Sequence, residues 1–210
     1  FKSFQFILTI MLSTIIAFLV MINPFALFLY LEPVRKDLDH QDFLKVIAKA
    51  TIISFVVCLI FFYLGNFVFQ NIFQINVESF RIFGGIVLFS FSYLFIVKGQ
   101  EALIMMKEDL DNLASEIALP FMVGAGTISL SILLSQKMSY FLGTTTLIMI
   151  FIINFLLLMF LIKIRRMIDT KKIKIAFDKN MGVLLRLNGF FIGAMGIDMI
   201  LTGITNLFLI

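Results

Sequence analysis

Six apolar runs, separated by polar segments, limit most strongly what this chain can fold into. They lie at about 4–31, 46–69, 80–97, 117–135, 141–162 and 184–208. A helix needs roughly 20 predominantly apolar residues to cross a bilayer core of about 30 Å, and it satisfies its own backbone hydrogen bonds there. The runs therefore predict an all-α membrane protein with six transmembrane helices.

Little of the chain remains for a soluble domain or for catalytic chemistry. Only 14% of the 210 residues are charged, whereas soluble domains average about 25%. The sequence shows no metal-ligand cluster, no nucleophile paired with a base and no phosphate-binding loop. We therefore expect a single membrane domain that is not an enzyme and that uses no metal or cofactor.

The basic residues are distributed unevenly among the connecting segments. Thirteen of the 17 follow the first, third and fifth runs, at Arg35, Lys36, Lys45, Lys49, Lys98, Lys107, Lys163, Arg165, Arg166, Lys171, Lys172, Lys174 and Lys179. The positive-inside rule places such loops in the cytoplasm, where they can contact anionic lipid headgroups, and so predicts both termini outside. No basic stripe with interleaved aromatic residues lies on a soluble element, so nucleic-acid binding is not expected.

The two halves of the chain show a weak internal repeat. Phe80–Ile96 and Leu185–Leu201 align without gaps at an offset of 105 residues. Two positions are identical in this alignment, namely Arg81 with Arg186 and Gly84 with Gly189. Because each half holds three spans, an odd number, the second half must enter the membrane from the opposite side. We predict two inverted three-helix repeats, at residues 1–105 and 106–210.

Helix-breaking residues interrupt the first run of each half. Asn23-Pro24 stands in the first, and Pro120 precedes Gly124-Ala125-Gly126 in the fourth. Asn is a favoured N-cap and Pro a favoured first helical residue, so we predict a second half-helix from Pro24 to about Leu31. At a rise of about 1.5 Å per helical residue, Asn23 lies roughly 13 Å from the end of its span, near the membrane midplane.

In the fourth run, the glycines can leave the backbone open, and Thr127 or Ser129 can cap the helix that resumes. Two half-helix N-termini then meet from opposite directions, and their N–H groups and dipoles suit an anion such as a carboxylate. The alternative is that these Gly and Pro residues only allow close helix packing.

Few other polar residues lie within the runs. Asp198, twelve residues after Arg186, is a candidate for holding a coupling ion or for a structural hydrogen bond, unless it lies closer to the interface. Arg81 and Arg186 stand at the starts of their spans, where either snorkelling or gating would account for them. Asn154 and the pair Ser90 and Ser92 are interpreted as interhelical hydrogen-bonding residues.

The motifs, taken together, resemble the MarC family of integral membrane proteins. NPF at 23–25, FRIFGG at 80–85, PFMVGAG at 120–126 and LNGFFIGAMGIDMI at 187–200 carry the resemblance along nearly the whole chain. It maps the family's motifs onto Asn23, Pro24, Arg81, Gly84, Gly85, Pro120, Gly124 and Gly126. Family members often have Gly and Pro where this chain has Ala26 and Leu29, and Gly-Pro-Gly where it has Gly124-Ala125-Gly126, which makes both breaks milder here.

The resemblance implies a bacterial or archaeal cytoplasmic membrane protein that transports small neutral amino acids such as glycine or alanine. The expected substrate-binding residues are Asn23, Pro24, Pro120, Gly124, Gly126, Thr127 and Ser129, and a proton or sodium gradient is the expected driving force. Two other functions remain open at this point. The chain could form a passive channel or exporter for small polar solutes, or it could be a membrane partner protein without transport activity.

Overall fold

The computed structural model describes residues 2–104 and 122–208, and the regular elements within these ranges are all helical. The helices are α1 (Lys2–Ile22), α2 (Pro24–Asp37), α3 (His40–Phe67), α4 (Val77–Val97), α5 (Gln100–Ile104), α6 (Ala125–Lys137), α7 (Tyr140–Met167) and α8 (Lys171–Phe208). A π-helical turn, Val68–Ile72, extends α3. The predicted all-α class is therefore confirmed.

Five segments of the described chain are long and apolar enough to cross a membrane. They are Ile7–Leu31, His40–Ile72, Val77–Val97, Tyr140–Met167 and Lys171–Phe208, which match five of the six predicted runs. The remaining run, 117–135, is described only from residue 122, and it contains the 13-residue helix α6. Pro120 lies outside the described residues.

Two helices extend well beyond the apolar runs that predicted them. The half-helix α2 continues to Asp37 rather than ending near Leu31, and α8 begins at Lys171, although its apolar run starts near residue 184. Hydropathy marks only the part of a helix that suits lipid, whereas the helix ends where its hydrogen bonding stops. The 38 residues of α8 span about 57 Å, nearly twice the hydrocarbon thickness.

Small residues hold α4 and α8 together as a close antiparallel pair. A side chain added at Gly196 would lie 2.8 Å from the carbonyl oxygen of Gly85, so the two backbones nearly touch. The Ser92 hydroxyl donates to the Gly189 carbonyl at 2.7 Å, which confirms an interhelical role for Ser92. The Ser90 hydroxyl instead donates to Ile86 of its own helix. Small residues at such contacts are typical of membrane helix pairs.

The short helix α6 lies among the longer ones. Gly65 of α3 packs against Ile132, and the Cys58 thiol lies beside the hydroxyls of Thr127 and Ser131, so α6 runs parallel to α3. Helix α7 runs antiparallel to α3, because Phe62 packs on Gly143 while Phe55 packs on Phe151.

The interior of the bundle is apolar and rich in phenylalanine. Its largest fully buried side chains include Phe18, Phe28, Phe43 and Phe62. Large apolar side chains are equally common on the outer faces of the long helices, for example Ile16, Ile52 and Phe83. A continuous apolar exterior of this kind suits lipid rather than water.

Candidate functional site

The first helix break is a single residue, Asn23, in the left-handed conformation. Its φ is +51°, a region in which Asn is enriched among non-glycine residues. Its side-chain Oδ1 accepts a hydrogen bond from the Ala26 N–H at 3.1 Å. The prediction that Asn23 caps a helix beginning at Pro24 is therefore confirmed.

A second asparagine compensates for the N–H group that Pro24 lacks. In a regular helix the Val20 carbonyl would accept from residue 24, but proline has no N–H to donate. Asn188 of α8 supplies the missing donor, because its Nδ2 lies 2.9 Å from the Val20 carbonyl oxygen. The break is thus fixed by α8, and sequence reasoning missed Asn188. An amide on the buried, glycine-rich face of α8 was the available signal.

The second break lies at Gly124, just before α6. Gly124 is extended, with φ −117° and ψ 177°, and its N–H donates to the Thr127 hydroxyl at 3.0 Å. That hydroxyl lies 3.1 Å from the Gly124 carbonyl oxygen, to which it donates. The sequence predicted that Thr127 or Ser129 caps α6. Thr127 forms this cap, and Ser129 takes no part in it.

The structure brings the two breaks together. A Cβ added at Gly126 would lie 2.8 Å from Met21 Sδ and 2.8 Å from Leu88 Cδ1, so α6 touches α1 just before Asn23. A Cβ added at Gly124 would meet no heavy atom of the described residues within 4 Å. The two predicted glycines therefore differ, because Gly126 is packed while Gly124 has no close neighbour among the described residues.

Asn154 of α7 lies close to the level of these breaks. The contacts of α3 with α6 and with α7 allow positions on α6 and α7 to be compared along the bundle axis. Measured along that axis, Asn154 and Gly124 lie within about 7 Å of each other. The side chain of Asn154 is fully buried, yet neither its Nδ2 nor its Oδ1 has a hydrogen-bond partner among the described residues. The interpretation of Asn154 as an interhelical hydrogen-bonding residue is therefore wrong for the described part of the chain.

Two further buried polar atoms near the breaks also lack partners in the described structure. They are Asn23 Nδ2 and Ser129 Oγ, on residues whose exposed fraction is only 3%. A buried polar group without a partner costs about 1–3 kcal/mol, so such groups concentrate where water, an ion or a ligand binds. Asn23, Ser129 and Asn154 together offer uncharged donors and acceptors on three helices that pack against one another.

Some of the backbone donors expected to hold a carboxylate are used within the chain. The Ala26 N–H bonds to Asn23 Oδ1 and the Leu27 N–H bonds to the Asn23 carbonyl. Gly124 donates to Thr127. A ligand at this place could therefore use side chains, the first-turn N–H groups of α6 that have no intrahelical partner, and the positive dipole ends of α2 and α6.

The three charged candidates lie away from the breaks. Arg81 is buried and forms an ion pair with Glu78 at 2.8 Å, which does not fit snorkelling. Arg186 is exposed and donates to the Ile96 carbonyl at 3.1 Å, near the end of α4. Asp198 is exposed on α8 and stands between the exposed apolar side chains Ile197 and Leu201 along the sequence. No group of three or more His, Cys, Asp or Glu side chains in the described ranges could hold a metal ion.

Comparison with known proteins identifies the family. The model of the MarC family integral membrane proteins matches residues 8–208. The UPF0056 membrane protein of Pyrococcus horikoshii is 29% identical over 194 residues, which cover 91% of this chain and 92% of that protein. The UPF0056 membrane protein YvbG of Bacillus subtilis is 28% identical over 174 residues, covering 78% and 80%.

A further UPF0056 membrane protein, from Methanocaldococcus jannaschii, is 24% identical over 202 residues, covering 92% of this chain and 86% of that protein. No solved structure matches the chain. The relatives are thus bacterial and archaeal membrane proteins of similar length. With a family match along nearly its whole length and five apolar helices of membrane-spanning length, the chain belongs to the MarC family and is a multi-pass integral membrane protein.

Proposed function

We propose that this protein is a secondary transporter of small neutral amino acids, with its substrate site between the two helix breaks. The observation that carries the proposal is the set of buried polar atoms on Asn23, Ser129 and Asn154 that have no partner among the described residues. Ser129 and Asn154 lie on helices that pack against the segments on either side of Asn23, and a Cβ added at Gly124 would meet no heavy atom of the described residues within 4 Å. Paired interrupted helices near the midplane are the usual site architecture of secondary transporters.

The charge of the site favours a substrate that is neutral overall. Asn23, Ser129 and Asn154 carry no formal charge, and a charged ligand buried without a counter-ion would be strongly disfavoured. A zwitterion presents a carboxylate, which needs donors, and an ammonium group, which needs acceptors. The amide Nδ2 atoms and the positive ends of α2 and α6 suit the carboxylate, while Asn154 Oδ1 suits the ammonium group.

The proposal includes alternating access driven by a proton or sodium gradient. Under it, the basic loops face the cytoplasm, both termini lie outside, and the halves 1–105 and 106–210 form inverted repeats. The antiparallel packing of α4 on α8 supports this arrangement, because these are the third spans of the two halves. Asp198 lies on an exposed face of α8, so the proposal assigns substrate contact to the asparagines rather than to this acid.

Counterflow in proteoliposomes tests the proposal directly. Vesicles loaded with unlabelled alanine or glycine are diluted into labelled substrate, with a proton gradient, a sodium gradient or no gradient. A carrier accumulates label transiently by exchange, and the matching gradient increases net uptake. A passive channel gives flux without this accumulation, and a partner protein gives no flux, so either of these results would reject the proposal.

The asparagine pair Asn154 and Asn71 provides matched variants for this assay. Asn154→Leu removes the two partnerless atoms while keeping a similar volume, and we expect it to reduce exchange at least tenfold. Asn71→Leu makes the same change at an exposed position beyond α3, and we expect exchange to be retained. Equal exchange in both variants would remove Asn154 from the site.

A further inference from the structure

A basic cleft lies at one end of the bundle, away from the helix breaks. It has a volume of about 770 Å³ and is formed by the end of α2, the start of α3 and the end of α7. Its polar lining comes from Arg35, His40, Lys163 and Arg166. None of the described lining residues is acidic, so the described part of the cleft has the electrostatic character of an anion site.

Helix dipoles do not account for this positive charge. Two helix C-termini, those of α2 and α7, face this end, and each carries roughly half a negative charge. The N-terminus of α3 opposes them with about half a positive charge, and no side chain caps it at Asp39. Asp42 in the first turn of α3 is paired with Lys45. Lys163 and Arg166 bring two full positive charges against the net half negative charge of the dipoles, so the described lining of the cleft remains cationic.

The floor of the same cleft is apolar. Phe43 of α3 and Met159 and Ile162 of α7 line it, and Phe43 is almost fully buried. Along α7 the floor continues toward side chains on the outer face of the helix, such as Leu156 and Phe160, which are more than half exposed. A ligand that fits both parts must carry an anionic head and an apolar tail.

We propose that this cleft binds one anionic phospholipid. The phosphate lies between Lys163, Arg166 and the first turn of α3, and the start of an acyl chain lies on Met159 and Ile162. Basic pockets between membrane helices are suited to such headgroups. This proposal is independent of the transport function, because the cleft shares no residue with the polar site at the breaks.

Thermal unfolding of the purified protein in detergent tests the proposal. The probes are dioctanoyl phosphatidylglycerol, dioctanoyl phosphatidylcholine with the same tails, and inorganic phosphate. A ligand that binds only the folded protein raises its Tm in a saturable way. We expect the phosphatidylglycerol to do so, and the phosphatidylcholine and inorganic phosphate to have little effect.

Two double variants separate the cleft from general surface charge. Lys163→Gln with Arg166→Gln removes two charges from the cleft, and we expect the phosphatidylglycerol concentration at half-effect to rise roughly thirtyfold, from the usual contribution of a basic residue near anionic lipid. Lys171→Gln with Lys172→Gln removes two exposed charges outside the cleft, and we expect less than a threefold change. Tm and elution volume without lipid report whether each variant is folded.

Three results would overturn the proposal. The first is the absence of any saturable response of the wild-type protein to the phosphatidylglycerol. The second is an equal loss of response in the two double variants, which would indicate diffuse attraction to the basic surface. The third is a response to inorganic phosphate as large as that to the phosphatidylglycerol, which would indicate a soluble anion rather than a lipid.

Discussion

The contrast between Gly124 and Gly126 gives the sharpest test of how the second break works. A Cβ at Gly126 would stand 2.8 Å from Leu88 and from Met21, about 0.6 Å inside the 3.4 Å at which ordinary contact begins. Valine adds two further methyl groups at the same place. Overpacking of this kind costs about 1–3 kcal/mol. Because the ends of the Leu88 and Met21 side chains can move, we expect Gly126→Val to lower the free energy of unfolding by about 2 kcal/mol.

Gly124→Val is expected to behave differently. The backbone there is extended, which suits a β-branched residue, and no heavy atom of the described residues lies near the added Cβ. We expect the stability to change by less than about 1 kcal/mol, because the loss of a favourable N-cap glycine is partly offset by a less flexible unfolded chain. The new side chain instead occupies the space assigned to the substrate.

Both properties are measured on the same purified samples, as the Tm alone and as its rise with alanine or glycine. For a chain of this length, 1 kcal/mol corresponds to about 2–4 °C, so Gly126→Val should lower the Tm by roughly 4–8 °C. Its folded fraction should still respond to the amino acid. Gly124→Val should keep its Tm and lose the response. The opposite assignment of the two effects would refute the reasoning from the structure.

Substitutions at three further positions test hydrogen bonding and capping at the breaks and an ion pair elsewhere in the bundle. Asn188→Leu leaves the Val20 carbonyl without a donor, and we expect a loss of about 1–3 kcal/mol in unfolding free energy, measured by denaturant titration in mixed micelles. Thr127→Val removes the hydroxyl that closes α6 and should cost about 1 kcal/mol, whereas Thr127→Ser should retain most of it; equal losses would argue against the cap. Arg81→Met leaves the partly buried carboxylate of Glu78 without its partner and should cost less than the roughly 3–5 kcal/mol typical of a fully buried pair, while Arg81→Met with Glu78→Gln should recover much of this loss, as a double-mutant cycle measures.

The sequence by itself determined the class of the protein and the positions of several helix ends. An apolar run of about 20 residues can satisfy all its backbone hydrogen bonds in lipid by forming a helix. Five such helices lie where apolar runs were predicted. The chemistry of Asn23-Pro24 is equally local, because an asparagine cap and a proline at the first helical position act within one turn. The same holds for Gly124 and Thr127, whose hydrogen bonds join residues three apart in the chain.

Only the tertiary structure decided which polar residues lie close to one another in the bundle. The pairing of Asn188 with the Val20 carbonyl joins residues 168 positions apart, and no sequence period encodes that approach. The face on which Asp198 lies, and the contact of Gly126 with Met21 and Leu88, likewise depend on how the helices rotate and tilt against one another. Hydropathy does not report this rotation when a helix is apolar on all sides. For this reason the sequence indicated an interhelical hydrogen bond for Asn154, whereas its side chain has no partner among the described residues.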